Sequence, residues 1–207
     1  MVVMARVPVG ERRALLVAAA HRVLLRDGLG AATTRAICAE ADMPQGTFHY
    51  CFDSRDELLA EVAGSLVPAE MSAATAAIDR TGTLTDVVHR ALLGYWDLAE
   101  ADPDTQRVIY EITAAGLRDP ALADGIAQRY RGYPELVGAV LEEIAVVRRV
   151  AWQRPVPVLA RQIVALLDGL TLQFLADGDR VAAREALAAC ASDVAAQGRR
   201  ARQAVSV

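Results

Sequence analysis

The sequence predicts an all-α protein of about nine helices. Three observations predict it. Apolar residues recur at helical spacing along the chain, and strand-like alternation bounded by turn residues is sustained nowhere. Glycine, proline and capping residues fall where helices of ordinary length should start and stop. The 207 residues are 54% hydrophobic and 23% charged, which is enough apolar material for a buried core and argues against disorder.

A first helix is expected from Gly10 to Asp27, with Leu15, Leu16, Ala19, Val23 and Leu24 along one side and Gly28 and Gly30 ending it. Thr33 and Thr34 cap a short second helix that ends near Ala41. Asp42-Met43-Pro44 is a turn, since a proline disfavours helix at the residue before it and suits the first turn of the next. A third short helix follows from Gln45 to Phe52. Ser54 and Glu57 form a capping box, and a long fourth helix runs from there to about Ala77 with a kink or break near Pro68. Gly82 and Thr83 precede a helix from about Thr85 to Ala101. Asp102-Pro103 and Asp119-Pro120 each open another, the latter running to about Val150 and bent or divided by Gly132 and Pro134. After Pro155 and Pro157 comes a very apolar helix, Val158 to Ala176. Asp177-Gly178-Asp179 is a turn before a last helix, Arg180 to Gln197, and the residues from Gly198 form a frayed tail with Arg199, Arg200 and Arg202.

Composition narrows the function classes. Net charge is −4, so bulk charge does not bind nucleic acid, but residues 1–55 carry seven Arg against five acids while the remainder carries fifteen against twenty-one. The three cysteines, Cys38, Cys51 and Cys190, are widely spaced, which suits a reducing, cytoplasmic setting without a disulfide framework. No secretory leader is expected in Met1 to Gly10, and no apolar run is read as approaching the ~18 residues of a membrane span. Gly-x-Ser-x-Gly, a phosphate loop and His-Glu-x-x-His are all missing, so no enzyme is expected. Cys38, His49 and Cys51 fit no zinc spacing; neither a metal nor a cofactor is expected.

The stretch from Thr33 to Phe52 meets the physical requirements of a helix-turn-helix. Ile37, Cys38, Ala41, Met43, Phe48 and Phe52 supply a small core, and Phe48 and Phe52, four residues apart, claim its inner side. The outer side then shows Gln45, Gly46, Thr47, His49 and Tyr50, with no acid to repel phosphate and a glycine that permits close backbone approach. Gln45 and Thr47 are candidate base readers. Thr34, at a helix N-terminus, together with Tyr50 and Arg55, is a candidate phosphate holder.

Thr33-Thr34-Arg35-Ala36-Ile37-Cys38-Ala39-Glu40-Ala41, Gln45-Gly46-Thr47-Phe48-His49-Tyr50-Cys51-Phe52 and Ser54-Arg55-Asp56-Glu57-Leu58-Leu59 together resemble the N-terminal DNA-binding domain of the TetR/AcrR family. The resemblance spans roughly residues 10–62, with a further similar segment at Leu167-Asp168-Gly169-Leu170. Asp42 stands where the family has a turn glycine, Pro44 where it has a capping serine and His49 where it commonly has tyrosine. The resemblance implies a DNA-binding domain over 1–55 and an effector-binding and dimerisation domain over 56–207. It implies a homodimer bound to palindromic double-stranded operator DNA, with a small effector that releases it, hence a repressor. The expected effector is a small hydrophobic molecule held near Tyr95, Trp96, Tyr110, Tyr130 and Phe174, with Trp96 and Tyr110 as its polar anchors. Asp168 is either a pocket group or an interface group. The very apolar helix and the last one are expected to form the dimer contact. The alternative is an all-α protein-interaction module without DNA binding.

Overall fold

The computed structural model describes residues 8–65, 67–79 and 81–200. These form α1 (Val9–Asp27), α2 (Thr34–Glu40), α3 (Arg55–Gly64), α4 (Val67–Ala76), α5 (Leu84–Ala101), α6 (Pro103–Gly116), α7 (Pro120–Arg148), α8 (Val156–Asp177) and α9 (Arg180–Ala195). Two 3₁₀ segments, Leu29–Ala31 and Gln45–Tyr50, lie on either side of α2, and β1 (Val150–Trp152) pairs with β2 (Gly198–Arg200). The fold is all-α apart from that ribbon.

Contacts group the chain into two compact units, residues 1–66 with 104–129 and residues 67–103 with 130–207. The first unit therefore includes α3. The reason is burial: α3 packs on α1, and its Leu58, Leu59 and Val62 are shielded almost completely. In this unit α1 also packs on α2 and contributes Leu16, Ala19 and Val23 to the interior. Helix α6 is tied to it by polar contacts. Thr105 Oγ1 lies 2.8 Å from His21 Nε2, and the Leu29 N–H donates to Glu111 Oε1 at 3.3 Å.

The second unit is built on α5, which packs against α4 and α9. Its core takes Val88, Leu92 and Trp96 from α5, Leu141 from α7, Ile163 and Phe174 from α8 and Leu187 from α9. Gly94 matters here because a Cβ on it would stand 2.6 Å from the Ala73 carbonyl oxygen of α4. Thr83 caps α5 through a reciprocal box with Asp86, a signal that the sequence reading passed over.

Four expectations need correction. The long fourth helix is two helices: Ser65 closes α3 by donating its hydroxyl to the Val62 carbonyl at 2.7 Å, and Pro68 has no N–H to offer the Gly64 carbonyl, so α4 starts afresh. The tail from Gly198 is in part a strand. Arg149 at φ 54 turns the chain out of α7, and Val150, Ala151 and Trp152 then pair with Arg200, Arg199 and Gly198; Arg202 lies outside the described residues. Finally, α8 is by length and composition able to cross a membrane, with a mean hydropathy of 1.4. Its apolarity has an internal use, since Leu159, Ile163, Leu167, Leu170 and Phe174 are buried in the second unit. Gly132 and Pro134 do not divide α7, which is continuous.

Candidate nucleic-acid interface and ligand cavity

The residues read as a helix-turn-helix are assembled by short-range bonds. The Thr33 side chain accepts from the Ala36 N–H at 3.1 Å and starts α2, placing Thr34 half-buried in its first turn. The Met43 N–H donates to the Cys38 carbonyl at 2.9 Å, and Asp42 takes φ 52, the left-handed turn expected where a glycine is usual. From Pro44 the chain enters 3₁₀ geometry over Gln45–Tyr50 instead of the α-helix to Phe52 that was expected. Pro44 has no side chain to cap the segment, and Gly46 and Thr47 are weak helix formers, so only a tight turn closes, with Thr47 N–H on the Pro44 carbonyl at 2.8 Å.

Phe48 anchors this segment. It is fully buried, stacks obliquely on Phe52 with centroids 5.7 Å apart, and shares the interior with Ile37, Cys38, Met43 and Cys51. Burial pushes the Cys38 thiol pKa up, which suits a packing residue. Gln45, Gly46, His49 and Tyr50 are thereby left exposed and Thr47 half-buried; Tyr50 is 78% accessible. No acid lies between Met43 and Phe52. Thr34, Gln45, Gly46, Thr47, His49 and Tyr50 thus lie at the start of α2 and on the segment that Phe48 anchors, all of them exposed or half-buried.

Arg55 is engaged by the backbone. Its Nε donates to the Ala32 carbonyl and one terminal nitrogen to the Leu29 carbonyl, each at 2.6 Å, while the other lies 3.8 Å from Asp56. The guanidinium is turned onto the α1–α2 connection, where it clamps two stretches of backbone. Arg13 is a second clamp. It donates to the Cys51 carbonyl, to Glu57 at 3.0 Å and to Glu61, and its charge lies 4.0 Å from the centre of the Phe52 ring. Glu57 also accepts from the Asp53 N–H at 2.7 Å, and Ser54 from the Glu57 N–H at 3.0 Å, so the expected capping box closes one residue early on its return side. Arg35 stays exposed.

The second unit holds a narrow apolar cavity of about 40 Å³, walled by Val88, Leu92 and Tyr95 of α5, Val137 and Leu141 of α7 and Ile163 of α8 among others. A smaller neighbour shares Met71, Tyr95, Val137 and Leu167 with it and adds Tyr133, Val164 and Asp168. Of the rings expected there, Tyr95 lines both. Trp96 and Phe174 do not: Trp96 is fully buried in the core, 5.5 Å from Phe174 edge to face, with its Nε1 donating to Glu100 at 2.9 Å. Tyr110 belongs to the first unit, and Tyr130 lines neither cavity. The sequence did carry the missing signal, because Val88, Ala91, Leu92 and Tyr95 on α5 and Val137, Val140, Leu141 and Ile144 on α7 repeat at helical spacing.

Comparison with known proteins agrees with these two features. Residues 16–62 match the family described as bacterial regulatory proteins, tetR family, and residues 85–199 match the BetI-type transcriptional repressor C-terminal family. The chain is 27% identical over 172 residues, 83% of its length and 88% of the relative's, to the HTH-type nicotine-responsive transcriptional repressor HdnoR of Paenarthrobacter nicotinovorans. Among solved structures it resembles the multidrug binding protein EbrR complexed with ethidium, at 31% identity and a TM-score of 0.63, covering 87% of this chain and 98% of that one. It shares its fold with a transcriptional regulator of Pseudomonas aeruginosa PAO1 at 24% identity and a TM-score of 0.72, over 94% and 95% of the two chains. The two family matches, one over the helix-turn-helix segment and one over most of the second unit, place the chain in the TetR family of bacterial transcriptional regulators.

Proposed function

We propose that the chain is a cytoplasmic repressor that binds a palindromic operator as a homodimer and is released by a small, largely apolar effector. The observation that carries the DNA reading is the Gln45–Tyr50 segment, anchored by Phe48 and otherwise exposed, acid-free and polar. In this reading Gln45 and Thr47 read base edges, Gly46 admits a close backbone, and Thr34, His49 and Tyr50 meet phosphates. An interaction module without DNA binding has no use for such a face, and the family match disfavours it.

Effector control is supported by the cavity and by the relatives, one nicotine-responsive and one holding ethidium. Dimerisation through α8 and α9 is supported by what α8 leaves uncovered. Val158, Ala165 and Leu172 recur every seven residues and are exposed, beside a groove lined by Leu166 of α8 and Ala186, Ala189 and Cys190 of α9. Two subunits joined there would present two reading heads to half-sites about one helical turn apart, roughly 34–36 Å.

Selection of bound duplexes from a random library with the full-length protein tests the reading. An enriched palindrome is expected, and Gln45→Ala should relax preference at one or two base pairs by about 1–3 kcal/mol each. Recovery of no common sequence would overturn it.

A further inference from the structure

We propose that the β1–β2 ribbon is a docking surface for an anionic phospholipid bilayer, on whose headgroups the protein lies without entering the hydrocarbon. The ribbon belongs to the second unit, whereas the Gln45–Tyr50 segment belongs to the first.

The first observation is charge. The chain carries −4 overall, yet no acid occurs from Ile144 to Leu167 or from Val194 to Arg200. The ribbon joins these two stretches. Elsewhere arginines are neutralised: Arg22 sits on Glu40, Arg90 on Asp79 and Arg184 on Asp97 and Glu100. On the ribbon they are not. Arg149, Arg199 and Arg200 are exposed and meet no carboxylate among the described residues. Pairing sets Arg200 opposite Val150, the neighbour of Arg149, and Arg199 opposite Ala151. Three like charges thus crowd one short ribbon and repel one another until an anion covers them. The acids at the nearby start of α5 are already engaged, Asp86 by Thr83 and Asp79 by Thr81 and Arg90.

The second observation is what lies between the charges. Val146 is 78% exposed one turn before the ribbon, and the Arg149 N–H donates to its carbonyl at 3.3 Å. Ala151 and Pro155 are exposed as well. Trp152 and Val156 pack inward on the core, which fixes the ribbon in place. Neither described cavity nor the α8–α9 groove is lined by Arg149, Arg199 or Arg200, so these arginines offer a face and not a pocket for a small anion. The phosphates of a nucleic acid would pair with the arginines but give Val146 no apolar partner. The surface of an anionic bilayer serves both: headgroup phosphates match the guanidinium forks, and the carbon just beneath them receives the small apolar side chains.

The test is co-sedimentation of the full-length protein with vesicles of phosphatidylcholine and phosphatidylglycerol in equal parts, against vesicles of phosphatidylcholine alone. The protein should bind the anionic vesicles, less as salt rises, and leave the neutral ones in suspension. Arg199→Gln combined with Arg200→Gln should weaken binding at least about tenfold. Val146→Asn should weaken it too, without changing its salt dependence. Arg118→Gln combined with Arg131→Gln removes the same charge from exposed sites off the ribbon and should leave binding within about twofold. Helical circular dichroism and operator affinity of the ribbon variant should match the parent, since neither arginine belongs to the reading segment. Failure of the parent to bind anionic vesicles would overturn the proposal, as would equal binding to neutral ones. So would a ribbon variant that binds as the parent does, or an off-ribbon variant that loses as much. A ribbon variant that keeps its vesicle binding but loses affinity for a non-operator duplex would assign the face to nucleic acid and not to lipid.

Discussion

Arg55 joins two stretches of chain that are far apart in sequence, holding carbonyls 23 and 26 residues upstream. Arg55→Ala leaves both acceptors without that partner, so unfolding free energy should fall by about 1.5–3 kcal/mol in chemical denaturation. Arg55→Lys should not restore it, because one ammonium cannot span two carbonyls as the planar fork does. The salt dependence of DNA binding by folded Arg55→Ala should keep its slope, whereas loss of a phosphate contact would reduce the slope by about one. Nothing in the sequence around Arg55 could have revealed this partner, since charge at a helix start reads the same whether it faces solvent, phosphate or a distant carbonyl. Asp42 was legible because its constraint is local: one residue must turn left-handed between α2 and Pro44. A β-branched residue tolerates that poorly, and Asp42→Val should lower stability by about 1–2 kcal/mol, with Asp42→Gly equal to the parent or better.

Helix ends were legible for the same reason as Asp42: caps are written within three residues of one another. The Gln45–Tyr50 segment was read as an α-helix because its composition names a short helical turn but not its pitch, which the missing cap at Pro44 decides. The Thr83–Asp86 box gives a pH prediction. The Thr83 N–H and hydroxyl, at 2.6 and 2.8 Å, hold the Asp86 carboxyl below its ordinary value of 3.8. A folded pKa below the unfolded one stabilises at pH above that ordinary value and is lost as pH falls through the folded one. Melting temperature should therefore drop below about pH 4, and less steeply in Asp86→Asn. Helix α5 offers a packing test as well. Alanine is the better helix former by about 1 kcal/mol, yet Gly94→Ala should lower the melting temperature, because its methyl would collide with the Ala73 carbonyl of α4. Failure to destabilise would show that α4 can withdraw freely.

Apolar helices declare that they need partners but not which partners, and that is why the cavity and the dimer face were only half legible. Trp96 and Phe174 looked like ligand rings in the sequence, yet they were needed to fill the core between α5 and α8. The residues that line the cavity are mostly aliphatic, a type that the core uses equally. For α8 the accounting is clearer. Leu159, Ile163, Leu167 and Leu170 are buried within the unit, yet Leu172 remains 55% and Val158 47% exposed on a stripe with Ala165. A seven-residue apolar period on an exposed face is the pattern by which helices pair. If a second copy covers it, sedimentation at micromolar concentration should give a dimer, burying above about 2,000 Å² in total as obligate apolar interfaces do. Leu172→Arg places a charge within that seam, whereas in a monomer it would sit in water at no cost. The variant should therefore sediment as a monomer, keep its helical circular dichroism, and bind a single half-site about as weakly as it binds the palindrome. A Leu172→Arg protein that stays dimeric and keeps its operator affinity would place the subunit contact elsewhere.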